Sequence, residues 1–190
     1  MSAIAMPVAS RPSPEPESPP TVTHEVKFGI FATILGPMLV AGTVHGVCHV
    51  SFGECDEALI ALGRRPEFSG ATIHRDDASM ASWASAISAQ IEGKARTIDI
   101  PVDVAGTPFQ QRVWTELRRI PFGELRSYQE LAIIIGQPSA ARAVAGACAS
   151  NRVAVVIPCH RVIRGTGALG GYRWGIERKQ KLLDTERENA

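Results

Sequence analysis

The spacing of apolar residues changes near residue 105, and this change separates two kinds of structure. Before it, Phe28, Ile30, Ala32 and Ile34 alternate, then Leu35-Gly36-Pro37 turns, and the apolar runs 38–41 and 47–50 follow. Short runs with a period of two and Gly/Pro punctuation predict an antiparallel β meander. Ile98, Ile100, Val102 and Val104 alternate again and predict one more strand. Two helices fall between. One is short, capped by Asp56 with Leu59 and Leu62 inward. The other is clearer: Asp76-Asp77 begin it, Met80, Trp83, Ala84, Ile87 and Ile91 recur at helical spacing, and Gly93 stops it.

Beyond residue 105 the spacing is helical. Thr107-Pro108 reads as a capping residue with proline at the first helical position. Phe109, Val113, Leu117 and Ile120 form one stripe with Trp114 beside it, and Pro121 and Gly123 end the helix. Ser127 and Glu130 form a capping box, with Leu131, Ile134 and Ile135 behind it and Gly136 closing that helix. Pro138 starts the next helix at once, which carries Ala140, Ala141, Arg142, Val144, Ala145 and Cys148. Two short helices joined by a tight glycine turn suit a DNA-binding helix-turn-helix and equally an αα-hairpin in a helical core. The second helix is almost bald around Arg142. Such a helix can approach a partner closely while one long cation reaches into it, or it can pack on a neighbour with Arg142 paired to an acid. After a glycine-dense stretch over 165–172, Trp174 and residues 176–183 read as a last helix.

Between these helices lies Val155-Val156-Ile157-Pro158-Cys159-His160-Arg161-Val162-Ile163. Residues 153–157 are mostly β-branched and read as a short buried strand or extended segment. Pro158 ends any ladder, so Cys159 stands where a rigid apolar segment stops. A cysteine attacks as thiolate, and a neighbouring imidazole favours that form. A lone cysteine is more often a buried structural residue. Here it is followed at once by histidine and arginine. A Cys-His hydrolase is the weaker chemical alternative, because adjacent side chains diverge and do not readily form a dyad.

Charge sharpens the reading. The net charge of +1 is uninformative, but residues 109–181 hold twelve Lys/Arg against four Asp/Glu, while residues 1–108 hold seven against twelve. A basic segment around the cysteine string is the footprint of a polyanion partner, and also of an ordinary solvated face. Cys48, Cys55, Cys148 and Cys159 show no Cys-x-x-Cys metal spacing. His45 and His49 have no obvious third ligand and read as strand positions. No metal or cofactor is expected. No leader and no membrane-spanning stretch is apparent, so a cytoplasmic protein with free thiols is expected. Residues 1–23 contain six of the thirteen prolines and read as a disordered tail. The division expected is tail 1–23, an α/β unit 24–105 and a mainly helical unit 106–190.

The strings Phe109-Gln110-Gln111, Val113-Trp114, Ile120-Pro121-Phe122-Gly123-Glu124, Ser127-Tyr128, Ala141-Arg142-Ala143-Val144, Asn151, Ile157-Pro158-Cys159-His160-Arg161-Val162 and Gly171-Tyr172-Arg173-Trp174-Gly175 occur in order. Together they resemble the O6-alkylguanine-DNA alkyltransferases, most of all the methyltransferase half of the bacterial adaptive-response proteins. The resemblance implies an α+β fold: a small ribonuclease-H-like domain with an antiparallel sheet, then a helical domain with a helix-turn-helix. It implies a monomer that binds double-stranded DNA carrying O6-alkylguanine, with O4-methylthymine a lesser substrate, and that acts once per molecule. Cys159 would accept the alkyl group. His160 would take its proton through a water, Glu186 would polarise His160, and Asn151 would brace the turn. Tyr128 would help rotate the nucleotide out and hydrogen-bond the base, while Arg142 fills its place in the stack. Ser127, Ala140 and Ala141 would lie against DNA in the minor groove. Tyr128, Val162, Gly170, Tyr172, Arg173 and Trp174 would line the pocket. Arg152 and Ala154 depart from the family pattern, which often has prolines there.

Overall fold

A computed structural model describes residues 25–53, 68 and 70–190. The proline-rich tail and the helix expected at Asp56 lie outside the described residues. Four strands, β1 (Glu25–Thr33), β2 (Gly36–Thr43), β3 (Gly46–Phe52) and β4 (Thr72–Arg75), form one sheet in the order β3-β2-β1-β4. The first three are the antiparallel meander read from the sequence. β4 is an addition and runs parallel to β1. Its four residues, Thr-Ile-His-Arg, carry one large apolar side chain, too little for a period to show.

Side chains alternate across this sheet as the pleat requires. Met38, Val40, Val50 and Phe52 enter the main core, whereas Leu39 and Ala41 join Val26 on the other face. Helix α1 (Asp77–Ile91) covers the main-core face with Met80, Ala84, Ile87 and Ile91. Asp76 caps it, its side chain accepting from the Ser79 N–H at 3.0 Å. Close packing depends on Gly42: a Cβ there would sit 2.2 Å from the Trp83 ring.

The strand expected over 98–104 is absent. Val102 makes one isolated parallel bridge to Val47, whose N–H donates to the Pro101 carbonyl at 2.9 Å. Pro101 has no N–H with which to extend a ladder. Ile100 is buried, so the alternation marks one anchored face of an irregular segment.

Helix α2 (Pro108–Arg118) begins in a capping box between Thr107 and Gln110 and buries Val113, Trp114 and Leu117. β5 (Arg126–Ser127) leads into α3 (Tyr128–Ile134), capped reciprocally by Ser127 and Glu130 as the sequence predicts. Its buried face is Leu131 and Ala132. Ile134, expected inward, is 53% exposed, and Ile133 is exposed beside it. α4 (Ala141–Ala149) starts three residues later than the Pro138 start expected, after a turn, with no side-chain cap. A one-turn 3₁₀ helix (Cys159–Arg161), β6 (Val162–Ile163) and α5 (Ile176–Asn189) complete the chain, the last helix running beyond the 176–183 expected.

Two sets of hydrogen bonds fix the later elements to the sheet, and a third pairing joins the later elements to one another. Val50 N–H donates to the Arg152 carbonyl at 2.9 Å, and Ala154 N–H to the Val50 carbonyl at 3.0 Å. From α5, Arg178 Nε reaches the Leu35 carbonyl at 2.8 Å and Lys181 Nζ the Ile34 carbonyl at 2.7 Å. β6 pairs in parallel with β5, setting Ser127 opposite Ile163. One apolar cluster runs from the sheet through α2, α4 and residues 153–157 to α5.

Candidate active site

Residues 153–157 are not a strand. Val153 makes a single bridge to β3, then the chain turns, with Ile157 N–H returning to the Val153 carbonyl at 3.1 Å. Val155 sits at φ +68°, a left-handed conformation that β-branched residues rarely adopt and that costs about 1–3 kcal/mol. All five residues are buried, which accounts for their apolar character without a sheet. Asn151, fully buried just past α4, holds the turn closed. Its Nδ2 donates to the Ile157 carbonyl at 2.8 Å and to Cys159 Sγ at 3.1 Å, and its Oδ1 accepts from Val153 N–H at 2.9 Å. The amide thus joins both ends of the turn to the sulfur.

Cys159 is 5% exposed. Burial pushes its thiol up to about 11, although the Asn151 hydrogen bond and the charge of Lys179 pull it down. Burial pushes Cys48 up to about 12 and Cys148 higher still. Of the three described cysteines, Cys159 is the one whose sulfur accepts from a side-chain amide, while Lys179 acts on both Cys159 and Cys148.

His160 and Glu186 form a buried pair, with Nε2 and Oε1 2.8 Å apart. Burial holds the imidazole below its ordinary range despite the carboxylate beside it. A neutral ring donates to Glu186 through Nε2–H, leaving Nδ1 as acceptor. Nδ1 is buried and has no partner among the described residues. Glu186 has further partners. Arg161 donates to it three times at 2.9–3.1 Å, and the Gly123 N–H reaches Oε2 at 3.2 Å. Burial alone would raise this carboxyl. The His160 hydrogen bond and then Arg161 outweigh it and hold the group at about 2. With His160 neutral, Arg161 is the permanent counter-ion. Its NH1 also binds the Ile120 carbonyl at 2.7 Å, and its guanidinium lies 5.7 Å from the Phe122 ring centre.

Tyr128 opens α3 half-buried, and burial and the nearby Cys148 and Cys159 raise its phenol. Its hydroxyl meets the loop at Gly170, where φ is +70° and a Cβ would lie 3.0 Å from the oxygen, so two constraints favour glycine there. Tyr172 packs edge-on between His160 and Trp174, with ring centres 6.4 and 5.0 Å away. Its hydroxyl is buried without a partner among the described residues. Val162 and Trp174 are buried, whereas Arg173 is exposed and reaches the Ala149 carbonyl at 3.4 Å. Cys159, Asn151, His160, Glu186, Tyr128, Gly170 and Tyr172 therefore form one cluster.

Ser127 commits its hydroxyl to the α3 cap. Ala140 and Ala141 are half-buried at the start of α4, and Arg142 is exposed on it with no ion pair among the described residues. The opposite face of α4, Val144, Ala147 and Cys148, is buried. His45 lies in the turn between β2 and β3 rather than in a strand. His49 is buried on β3, its ring 5.8 Å from Phe68. No group of three His, Cys, Asp or Glu that could hold a metal occurs among the described residues, and no helix there is long and apolar enough to cross a membrane.

Two members of the cluster were missed in the sequence. Arg161 gave no signal, because its partner is 25 residues away. Lys179 did give one: with Leu182 and Glu186 it sits at helical spacing on the buried face of α5.

Residues 108–188 match the family model of the 6-O-methylguanine DNA methyltransferase DNA binding domain. The chain is 43% identical over 164 residues to the bifunctional transcriptional activator/DNA repair enzyme Ada of Escherichia coli, covering 86% of this chain and 46% of Ada. It is thus similar to about half the length of that relative. It is 40% identical to the inducible methylated-DNA–protein-cysteine methyltransferase of Bacillus subtilis, covering 78% of this chain and 83% of that protein. Among solved structures, Mycobacterium tuberculosis OGT in complex with DNA superposes with a TM-score of 0.75 at 35% identity, covering 86% of this chain and 94% of that one.

Proposed function

The chain belongs to the methylated-DNA–protein-cysteine methyltransferases, and on that premise we propose that it repairs DNA by moving a methyl group from O6-methylguanine onto Cys159. O4-methylthymine is the lesser substrate. The observation that carries this reading is a single sulfur held by Asn151 beside a buried His160–Glu186 pair.

The chemistry follows from the geometry. A thiol held near 11 is almost wholly protonated at neutral pH, so a base must act in the step itself. The proton passes through a bridging water to Nδ1 of His160, whose other nitrogen donates to Glu186. The thiolate attacks the methyl carbon, the S–C bond forms, and the C–O bond breaks with its electron pair left on the base. A proton then returns to the purine, so a thiol and a methylated guanine become a thioether and guanine. Tyr128 stabilises the departing base by hydrogen bonding. No neighbouring group can cleave the thioether, so each molecule reacts once.

A nucleophile only 5% exposed cannot reach a stacked base, so the nucleotide must turn out of the duplex and enter the protein. Val162, Gly170, Tyr172, Arg173 and Trp174 line its place. In this reading α3 and α4 are a helix-turn-helix, and α4 lies in the minor groove. Ser127, Ala140 and Ala141 lie close to the backbone, and Arg142 fills the gap in the stack. The protein acts as a monomer in the cytoplasm. Residues 24–105 form a ribonuclease-H-like unit that supports the helical unit 106–190.

The test is loss of O6-methylguanine from a duplex at increasing protein. Repair should stop at one base per protein molecule; continued turnover overturns the single-use reaction. Arg142→Ala should slow repair of duplex much more than repair of the free methylated base, and equal loss on both would remove Arg142 from the extrusion step.

A further inference from the structure

The largest fully buried side chain among the described residues is a lysine. Lys179 is 0% exposed and has no carboxylate partner among them. Its Nζ donates to the carbonyls of Val162 and Leu169, both at 2.5 Å. Val162 is the third residue after Cys159 and opens β6. Leu169 precedes Gly170, which abuts the Tyr128 hydroxyl. One ammonium thus ties the strand leaving the nucleophile to the loop that carries the opposite wall of the site.

An ammonium buried on two neutral acceptors is costly, and an apolar side chain would fill the space with less penalty. The charge therefore calls for a role beyond packing. Around Cys159 stand Cys148 from α4, Tyr128 from α3, Tyr172 and Arg173 from the loop, His160 beside it, and Lys179 from α5. The thiol and the two phenols are raised by burial and stay neutral near pH 7, His160 is neutral, and Arg173 lies exposed. Lys179 is the buried cation of the set, and the proposed transfer creates negative charge first on the sulfur and then on the base.

We infer that Lys179 is a positioning residue of the transfer site: its ammonium fixes the Val162 and Leu169 carbonyls that frame the pocket, and its charge stabilises the Cys159 thiolate. This rests on the methyl-transfer reading. Its test can fail separately, because thiol titration needs no DNA.

The experiment compares the full chain with Lys179→Met and Lys179→Arg. Iodoacetamide alkylation of Cys159, located by peptide mass, is followed against pH, and methyl transfer from an O6-methylguanine duplex is timed alongside. Burial lowers the Lys179 ammonium from its ordinary range, so its charge is present near neutrality but not where the thiol titrates. In Lys179→Met the alkylation profile should fall about tenfold near pH 7, a correspondingly smaller thiolate fraction. Transfer should slow by about tenfold or more. Lys179→Arg should keep the alkylation profile near that of the unchanged protein even where its extra bulk lowers the melting temperature. Unfolded chains expose the sulfur and react through an ordinary thiol, so alkylation is timed at a temperature where circular dichroism shows each variant folded. Should Lys179→Met not fold, Lys179→Gln, which keeps an amide donor without the charge, makes the same comparison. An unmoved profile in the neutral variant overturns the role of Lys179. An unchanged protein that accepts no methyl overturns the function instead.

Discussion

Glu186 receives hydrogen bonds from an imidazole, a guanidinium and a backbone N–H, all out of water. Its charge is permanent because Arg161 is. His160 can therefore stay neutral and keep Nδ1 free of a proton, as the base of the proposed transfer requires. Two outcomes follow at this scale. Folding depresses the Glu186 carboxyl, so its contribution to stability is full above the ordinary carboxyl range. It should fade as pH falls from about 5 to 2, as urea unfolding at several pH values would measure. Glu186→Gln should remove this acid sensitivity and lower stability by about 3–5 kcal/mol, because Arg161 stays buried without its counter-ion. Second, His160 lies below its ordinary range, so the transfer rate should show no acid limb near pH 6.5 and should stay level through neutrality, where the reacting pair is a protonated thiol and a neutral imidazole. A bell centred near neutrality would contradict that assignment.

Element boundaries set by local chemistry were readable in the sequence, and those set by distant packing were not. Asp76, Thr107 and Ser127 each cap a helix as their neighbours indicate, because a cap is made within four residues. Residues 153–157, mostly β-branched, predict a strand or extended segment, but the chain turns there. Their apolar character comes from burial on every side, and the turn depends on Asn151 and on Val155 in a left-handed conformation, neither of which leaves a periodic trace. The alternation at 98–104 misled for a related reason, since Pro101 blocks the ladder that the pattern suggests. Of the site, Cys159, His160, Asn151 and Tyr128 were legible through the family resemblance. Arg161 needed coordinates, as did the two carbonyls that Lys179 binds. Ser127 gives a direct check on α3. Ser127→Ala should cost about 1 kcal/mol in thermal or urea unfolding, through loss of the Glu130 N–H bond. No change would mean that the cap does not hold the helix that presents Tyr128.

Across the whole molecule, one apolar cluster joins the sheet to the helices behind Cys159, and Arg178 and Lys181 fasten α5 to the β1–β2 turn. A core shared in this way should unfold in one transition by fluorescence and circular dichroism alike. Two separated transitions would mean that the sheet and the site fold independently. The excess of positive charge over residues 109–181 lies on the part that would meet DNA, so affinity for duplex should fall steeply as salt rises. In the proposed function all of this serves one event at one sulfur. Its most direct test is the intact mass of the protein after incubation with duplex containing O6-methylguanine. The account predicts a gain of one CH₂, located on Cys159 by peptide mapping and absent in Cys159→Ala. An unchanged mass, or a methyl group found on any other residue, would contradict it.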